Sequence, residues 1–108
     1  MDIFEARNKE TYILAITGRL DAITSPDLRN KIMSSIELGE RSILLDCTNL
    51  EYVSSAGLRV LFEASFNLNQ VSGNIKICSI NNNVKKIFDM VDLTSEVAIF
   101  SSQEEALK

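Results

Sequence analysis

The hydrophobic period changes repeatedly along this chain, and that alternation constrains the fold more than any other feature. Residues 3 to 7 alternate weakly between apolar and polar, and Thr11 to Thr17 is a dense apolar stretch containing β-branched residues. Both read as strands, joined across the polar turn Asn8-Lys9-Glu10 and therefore predicted antiparallel. Gly18 is predicted to end the second strand. Thr24-Ser25-Pro26-Asp27 then combines a hydroxyl cap, a proline in the first turn and an acid near a helix N-terminus. Leu28, Ile32 and Ile36 supply the buried stripe of that helix, and Gly39 sits where a left-handed cap is expected. Ile43 to Asp46 is a short apolar run ending in an acid, the pattern of a strand covered on both faces.

After Tyr52 and Val53 the period becomes helical, with Leu58, Leu61, Phe62, Ser65 and Leu68 on one face until Gly73. Ile75, Ile77 and Cys78 predict another strand. Val84, Ile87, Phe88 and Val91 have the spacing of an amphipathic helix capped by Asn82 or Asn83. Val97 to Phe100 predicts a last strand, and Ser102 or Gln103 begins a short terminal helix. The order β-β-α-β-α-β-α-β-α predicts an α/β fold. It is a mixed sheet that opens with an antiparallel hairpin and continues by right-handed crossovers, with helices mainly on one face. Doubly wound receiver-like folds open βα instead.

A chain of 108 residues is long enough for one core, so a single domain over residues 1–108 is expected. The formal net charge of −4 comes without any clustered Lys/Arg stripe. Direct nucleic-acid binding is therefore not expected, and proteins are the expected partners. The apolar run Tyr12 to Ile16 is far shorter than the roughly 20 residues of a membrane-spanning helix, and no basic-then-apolar leader precedes it. No membrane association is expected, and a cytoplasmic location is. Cys47 and Cys78 fit no metal spacing and lie in or beside apolar stretches, as small core residues do. The chain contains no histidine, which removes Ser-His-Asp and Cys-His catalysis, His-ligated zinc and phosphohistidine relay. No enzymatic activity, metal or cofactor is expected.

The segment most informative about function is Leu50-Glu51-Tyr52-Val53-Ser54-Ser55-Ala56-Gly57-Leu58-Arg59-Val60-Leu61, where two serines stand at the start of an apolar helix. First-turn N–H groups lack intrahelical partners and carry the positive end of the helix dipole, so a phosphoryl group there is favoured. Gly57 costs about 0.8–1 kcal/mol relative to alanine inside a helix, and its missing Cβ leaves room for a phosphate, a nucleotide-bearing partner or a packed neighbouring loop. Two readings of the segment stand side by side. In one, Ser54 or Ser55 is an ordinary N-cap and Gly57 a packing accommodation; in the other, the turn is a modification and docking site.

Three stretches carry a resemblance to a known family. Gly18-Arg19-Leu20-Asp21 with Thr24 is similar to the Gly-x-Leu-Asp-x-x-Thr element of STAS domains. Ile43-Leu44-Leu45-Asp46 through Val60-Leu61, with its Ser-x-Gly-Leu step, resembles their central block. Ile75 to Ile80 followed by Val84, Ile87, Phe88 and Leu93 resembles their C-terminal half. The resemblance implies an anti-sigma factor antagonist whose acceptor serine is Ser55, with Ser54, where the family often has Asp, as the fallback. Arg19 also replaces a commonly acidic residue.

By the same resemblance, the partner is an anti-sigma factor with a histidine-kinase-like ATPase fold that acts as a serine kinase. The unphosphorylated chain binds it and frees a sigma factor, phosphorylation switches binding off, and a PP2C-type phosphatase resets the switch. The docking surface is expected at Ser54, Ser55, Gly57 and Arg59, with Asp21 and Thr24 if the sheet brings their loop alongside. Asp21 is as readily a loop carboxylate, and Arg59 is more readily a solvated residue. The alternative within the family is an unphosphorylated STAS adaptor of a lipid-transport ABC system or stress-signalling complex. A phospho-aspartate receiver built on Asp46 lacks the acid pair that holds magnesium, and Asp46 is expected to cap the loop toward Thr48.

Overall fold

A computed structural model describes residues 1–108. Its frame is one five-stranded sheet in the order β1-β2-β3-β4-β5: β1 Asp2–Asn8, β2 Thr11–Leu20, β3 Ser42–Val53, β4 Asn74–Cys78 and β5 Ala98–Phe100. β1 pairs antiparallel with β2, and β2 through β5 are mutually parallel. Helices α1 Ser25–Glu37, α2 Ser55–Gln70 and α3 Asn82–Met90 make the crossovers, a 3-10 turn covers Leu93–Ser95, and α4 is Gln103–Ala106.

Spatial order equals sequence order, so every crossover steps in the same direction across the sheet. Crossovers of one hand that never reverse must all lie on one face, and the core shows it. Tyr12, Leu14, Ile16, Ile43, Leu45, Ile75 and Ile77 meet Leu28 and Ile32 of α1, Leu61 and Leu68 of α2, and Val84 and Phe88 of α3 in one buried cluster. Strand side chains of opposite parity, Ile13, Leu44 and Cys78, point to the other face and meet Ala106 of α4. Ile43, Leu44 and Leu45 are fully buried, as expected for a strand covered on both sides.

The structure departs from the expectations at several ends. Gly18 does not terminate β2; the strand runs on to Leu20. Gly18 adopts φ +94, and the β2–β3 register shifts on passing from Gly18 to Arg19. Glycine takes that left-handed conformation without strain, and the extra residue of the shift, Glu51, lies on β3. β3 likewise continues to Val53, far beyond the apolar run that announced it. Asn81, rather than Asn82 or Asn83, caps α3 by accepting from the Val84 N–H at 2.8 Å. Val91 lies beyond the end of α3 and is exposed, because the chain turns away at Asp92, where φ is 57. Phe62, assigned to the buried face of α2, is only half-buried, since the packed line runs through Leu61, Ala64 and Leu68. Gly39 takes the expected left-handed conformation, whereas after α2 that role falls to Ser72. Ser102 caps α4 by accepting from the Glu105 N–H at 3.1 Å. No helix is long and apolar enough to cross a membrane.

Candidate functional site

Because β2, β3 and β4 are parallel, the loops that leave them open on one edge of the sheet, where α1, α2 and α3 begin. The extended arms of β2 and β3 pair Arg19 with Tyr52 and Leu20 with Val53, and the Ser54 N–H donates to the Leu20 carbonyl at 2.9 Å. The Asp21–Thr24 loop and the start of α2 are thereby held side by side, as the docking reading requires.

At the start of α2 the two serines divide their tasks. Ser54 is the N-cap, in extended conformation, and its Oγ accepts from the Gly57 N–H at 3.3 Å. Its carbonyl accepts from the Leu58 N–H at 2.9 Å. Ser55 is the first residue of the helix and is exposed. The N–H groups of that turn and the positive end of the dipole lie beside its hydroxyl.

The opening expected at Gly57 is filled. Gly57 is buried, and a Cβ there would stand 2.8 Å from Leu20 Cγ and 2.9 Å from Val53 Cγ2. The packed neighbour named among the possible occupants is thus this chain's own β2–β3 arm, and no space remains for a phosphate or a partner atom. Glycine is required because β2 and β3 end directly beneath the helix.

The start of α1 is built differently. Thr24 occupies the cap position in helical conformation without a side-chain cap bond. Its hydroxyl turns back into the loop, donating to the Arg19 carbonyl at 2.7 Å and accepting from the Asp21 N–H at 2.9 Å. The Asp21 carboxylate accepts from the Thr24 and Ile23 N–H groups at 3.1 and 3.0 Å. These backbone donors, Thr24 first, hold Asp21 below its ordinary value of 3.8. Ser25 is buried and donates to the Asp21 carbonyl. The loop tip presents Ile23, 87% exposed.

Arg59 is exposed on the second turn of α2. Sequence reasoning missed a stacked pair at the same edge, Arg19 over the Tyr52 ring at 4.2 Å. The pair follows from the shifted register of two strands far apart in sequence, which no local pattern announces. Asp46 accepts from the Thr48 N–H and hydroxyl at 3.0 and 2.6 Å, the expected partner, but it does so within β3 and not at a loop. Cys47 and Cys78 are buried, and burial pushes both thiols up, so neither serves as a nucleophile. A shallow cavity of about 550 Å³ at this edge is lined by Thr17, Thr48, Asn49, Glu51 and Asn81 among others and includes none of the Ser54–Arg59 turn. The Ser54–Arg59 turn lines none of the cavities of the structure.

The family model described as STAS domain matches residues 5–106. The chain belongs to the STAS domain family. Among relatives of this STAS domain, BtrV of Bordetella bronchiseptica, named as an anti-sigma factor antagonist, is 30% identical over 94 residues, covering 87% of this chain and 81% of BtrV. The fold recurs in the crystal structure of an anti-sigma factor antagonist from Thermotoga maritima, with a TM-score of 0.93 at 18% identity, over 97% of this chain and 91% of that one. It recurs also in the anti-sigma factor antagonist SpoIIAA. The unphosphorylated form gives a TM-score of 0.84 at 22% identity, over 98% of this chain and 93% of that one. The phosphorylated form, described as a Bacillus cell fate determinant, gives 0.77 at 21% identity, over 98% and 96%.

Proposed function

We propose that this STAS domain is an anti-sigma factor antagonist switched by phosphorylation of Ser55. The observation that carries the reading is the division of labour at the start of α2. Ser54 performs the cap, half-buried and engaged with the Gly57 N–H, while Ser55 stands exposed beside it without structural duty. A kinase has access to the second hydroxyl, and its modification leaves the helix cap intact. Ser54 is accordingly the weaker acceptor of the two.

The partner in this proposal is an anti-sigma factor with a histidine-kinase-like ATPase fold. It docks on Ser55 and Arg59, on the edge of Ser54, and on the Asp21–Thr24 loop held alongside. Gly57 contributes from beneath, by letting α2 sit close on Leu20 and Val53. In the unphosphorylated state Ser55 presents a neutral hydroxyl in the first turn of α2. Phosphorylation adds about −1.5 to −2 charges at pH 7 and oxygens that demand solvation, which a desolvated interface cannot accept. The helix itself tolerates the group, because first-turn N–H donors and the dipole favour an anion there. That SpoIIAA exists in both forms with the fold of this chain supports a switch acting on the interface and leaving the fold unchanged. A PP2C-type phosphatase restores the binding form.

The test compares Ser55→Ala and Ser55→Asp with wild type. The alanine variant should bind the anti-sigma factor and resist its kinase activity, and the aspartate variant should fail to bind at an unchanged melting temperature. Phosphopeptide mapping that placed the label elsewhere would remove the site, and equal binding by both variants would remove the electrostatic mechanism.

A further inference from the structure

The exposed face of α2 is not uniformly polar. Ser55, Arg59, Phe62 and Phe66 recur at i, i+4, i+7 and i+11, which at 3.6 residues per turn places them on one outward stripe. Phe66 is 63% exposed, Phe62 is half-buried against the core beside it, and Arg59 lies between them and Ser55. Arg59 is the single cation of α2 and takes part in none of the ion pairs the chain forms. The flank toward α1 is closed instead, by Arg29 bonding Glu63 at 2.6 Å and by the Asn67 amide on Met33 Sδ at 3.1 Å. One exposed aromatic is ordinary on a protein surface. An exposed aromatic in line with the proposed phosphoacceptor, with an unpaired guanidinium between the two, is a continuous contact strip.

We infer that the surface binding the anti-sigma factor runs along this strip for about three turns. An apolar pocket of that partner takes Phe66, and an acidic side chain of the partner meets Arg59. The inference rests on the proposed function and adds a second anchor to it, about 16 Å from Ser55 at the helical rise of 1.5 Å per residue. Aromatic and arginine side chains are the types that dominate interface energetics. An anchor that far from the hydroxyl holds the kinase on its substrate without touching the reacting atoms. Phe66 therefore sets affinity, and Ser55 sets whether the bound state is allowed.

The experiment follows phosphoryl transfer from ATP to the full chain by the purified anti-sigma factor kinase of the same organism, using wild type, Phe66→Ala, Phe66→Leu and Phe4→Ala. Phe4 is the control. It is 59% exposed but lies on β1 opposite Ala15, on the sheet face away from α2. The expected result is a rise in KM and Kd of about tenfold for Phe66→Ala with kcat unchanged, as loss of uniform binding requires. Phe66→Leu should recover most of the loss, and Phe4→Ala should match wild type, with all melting temperatures alike. Wild-type KM for Phe66→Ala, or an equal loss for Phe4→Ala, overturns the second anchor while leaving the Ser55 switch standing. A wild-type chain that the kinase neither binds nor labels overturns the switch and the anchor together.

Discussion

The starts of α1 and α2 sit side by side on the same edge of the sheet, both begin with a pair of hydroxyl residues, and they use those hydroxyls in opposite ways. At α1, Thr24 and Ser25 are both consumed, one bonded to Arg19 and Asp21 and the other buried on the Asp21 carbonyl. At α2, Ser54 alone satisfies the helix and Ser55 is left over. A hydroxyl at a helix start becomes available for regulation only when a neighbour already does the capping. The second helix meets that condition, and the first does not.

The largest expected effect tests this asymmetry directly. Ser55→Asp should weaken binding to the anti-sigma factor by about 100-fold or more, the scale for placing an unpaired charge in a desolvated contact. Kinase label should map to Ser55, with none on Thr24 or Ser25; label on Ser25 would break the comparison outright. Next in size is Gly57→Ala. The added methyl meets Leu20 and Val53 below 3.0 Å, an overpacking cost of about 1–3 kcal/mol that the roughly 1 kcal/mol gain in helix propensity only partly offsets. Urea unfolding should show a net loss of about 1 kcal/mol, and a gain would mean that the β2–β3 arm yields.

Ser54→Ala removes a cap and should cost about 1 kcal/mol, readable as a fall of some 4–8 °C in melting temperature, while Ser55 is still phosphorylated. Loss of labelling in that variant would show that the two serines are not separable. The smallest effect is confined to the α1 side, which alone carries a titrating group in its turn. Asp21 is held below 3.8 in the folded chain, so its contribution to stability is complete above its unfolded value and is lost as pH falls through the lowered folded one. Acidification through that window should release the Ile23 and Thr24 amides, seen as faster amide exchange, and Asp21→Asn should abolish that pH dependence. An α2 turn that loosened in the same window would contradict the division.

Much of this was legible from local pattern. Leu28 and Ile32, Val84 and Phe88, and the consecutive run Ile43 to Leu45 lie where their periods put them, because burying an apolar face requires the spacing of the element that carries it. Two misread positions were decided by residues distant in sequence. Gly18 reads as a terminator, yet β2 passes through it because β3 runs alongside and supplies the ladder. Phe62 reads as core, yet the close approach of α2 over Gly57 turns the packed line toward Leu61 and Ala64.

Sequence alone determined the order of strands and helices and the presence of paired serines at the mouth of α2. These depend on neighbours within a turn or two of one another. Tertiary structure alone decided which serine caps, what fills the space at Gly57, that the Asp21 loop lies beside α2, and that Arg19 stacks on Tyr52. Each of these depends on the register between β2 and β3, which arises from the packing of strands more than 20 positions apart in the chain and leaves no trace in local hydrophobic period.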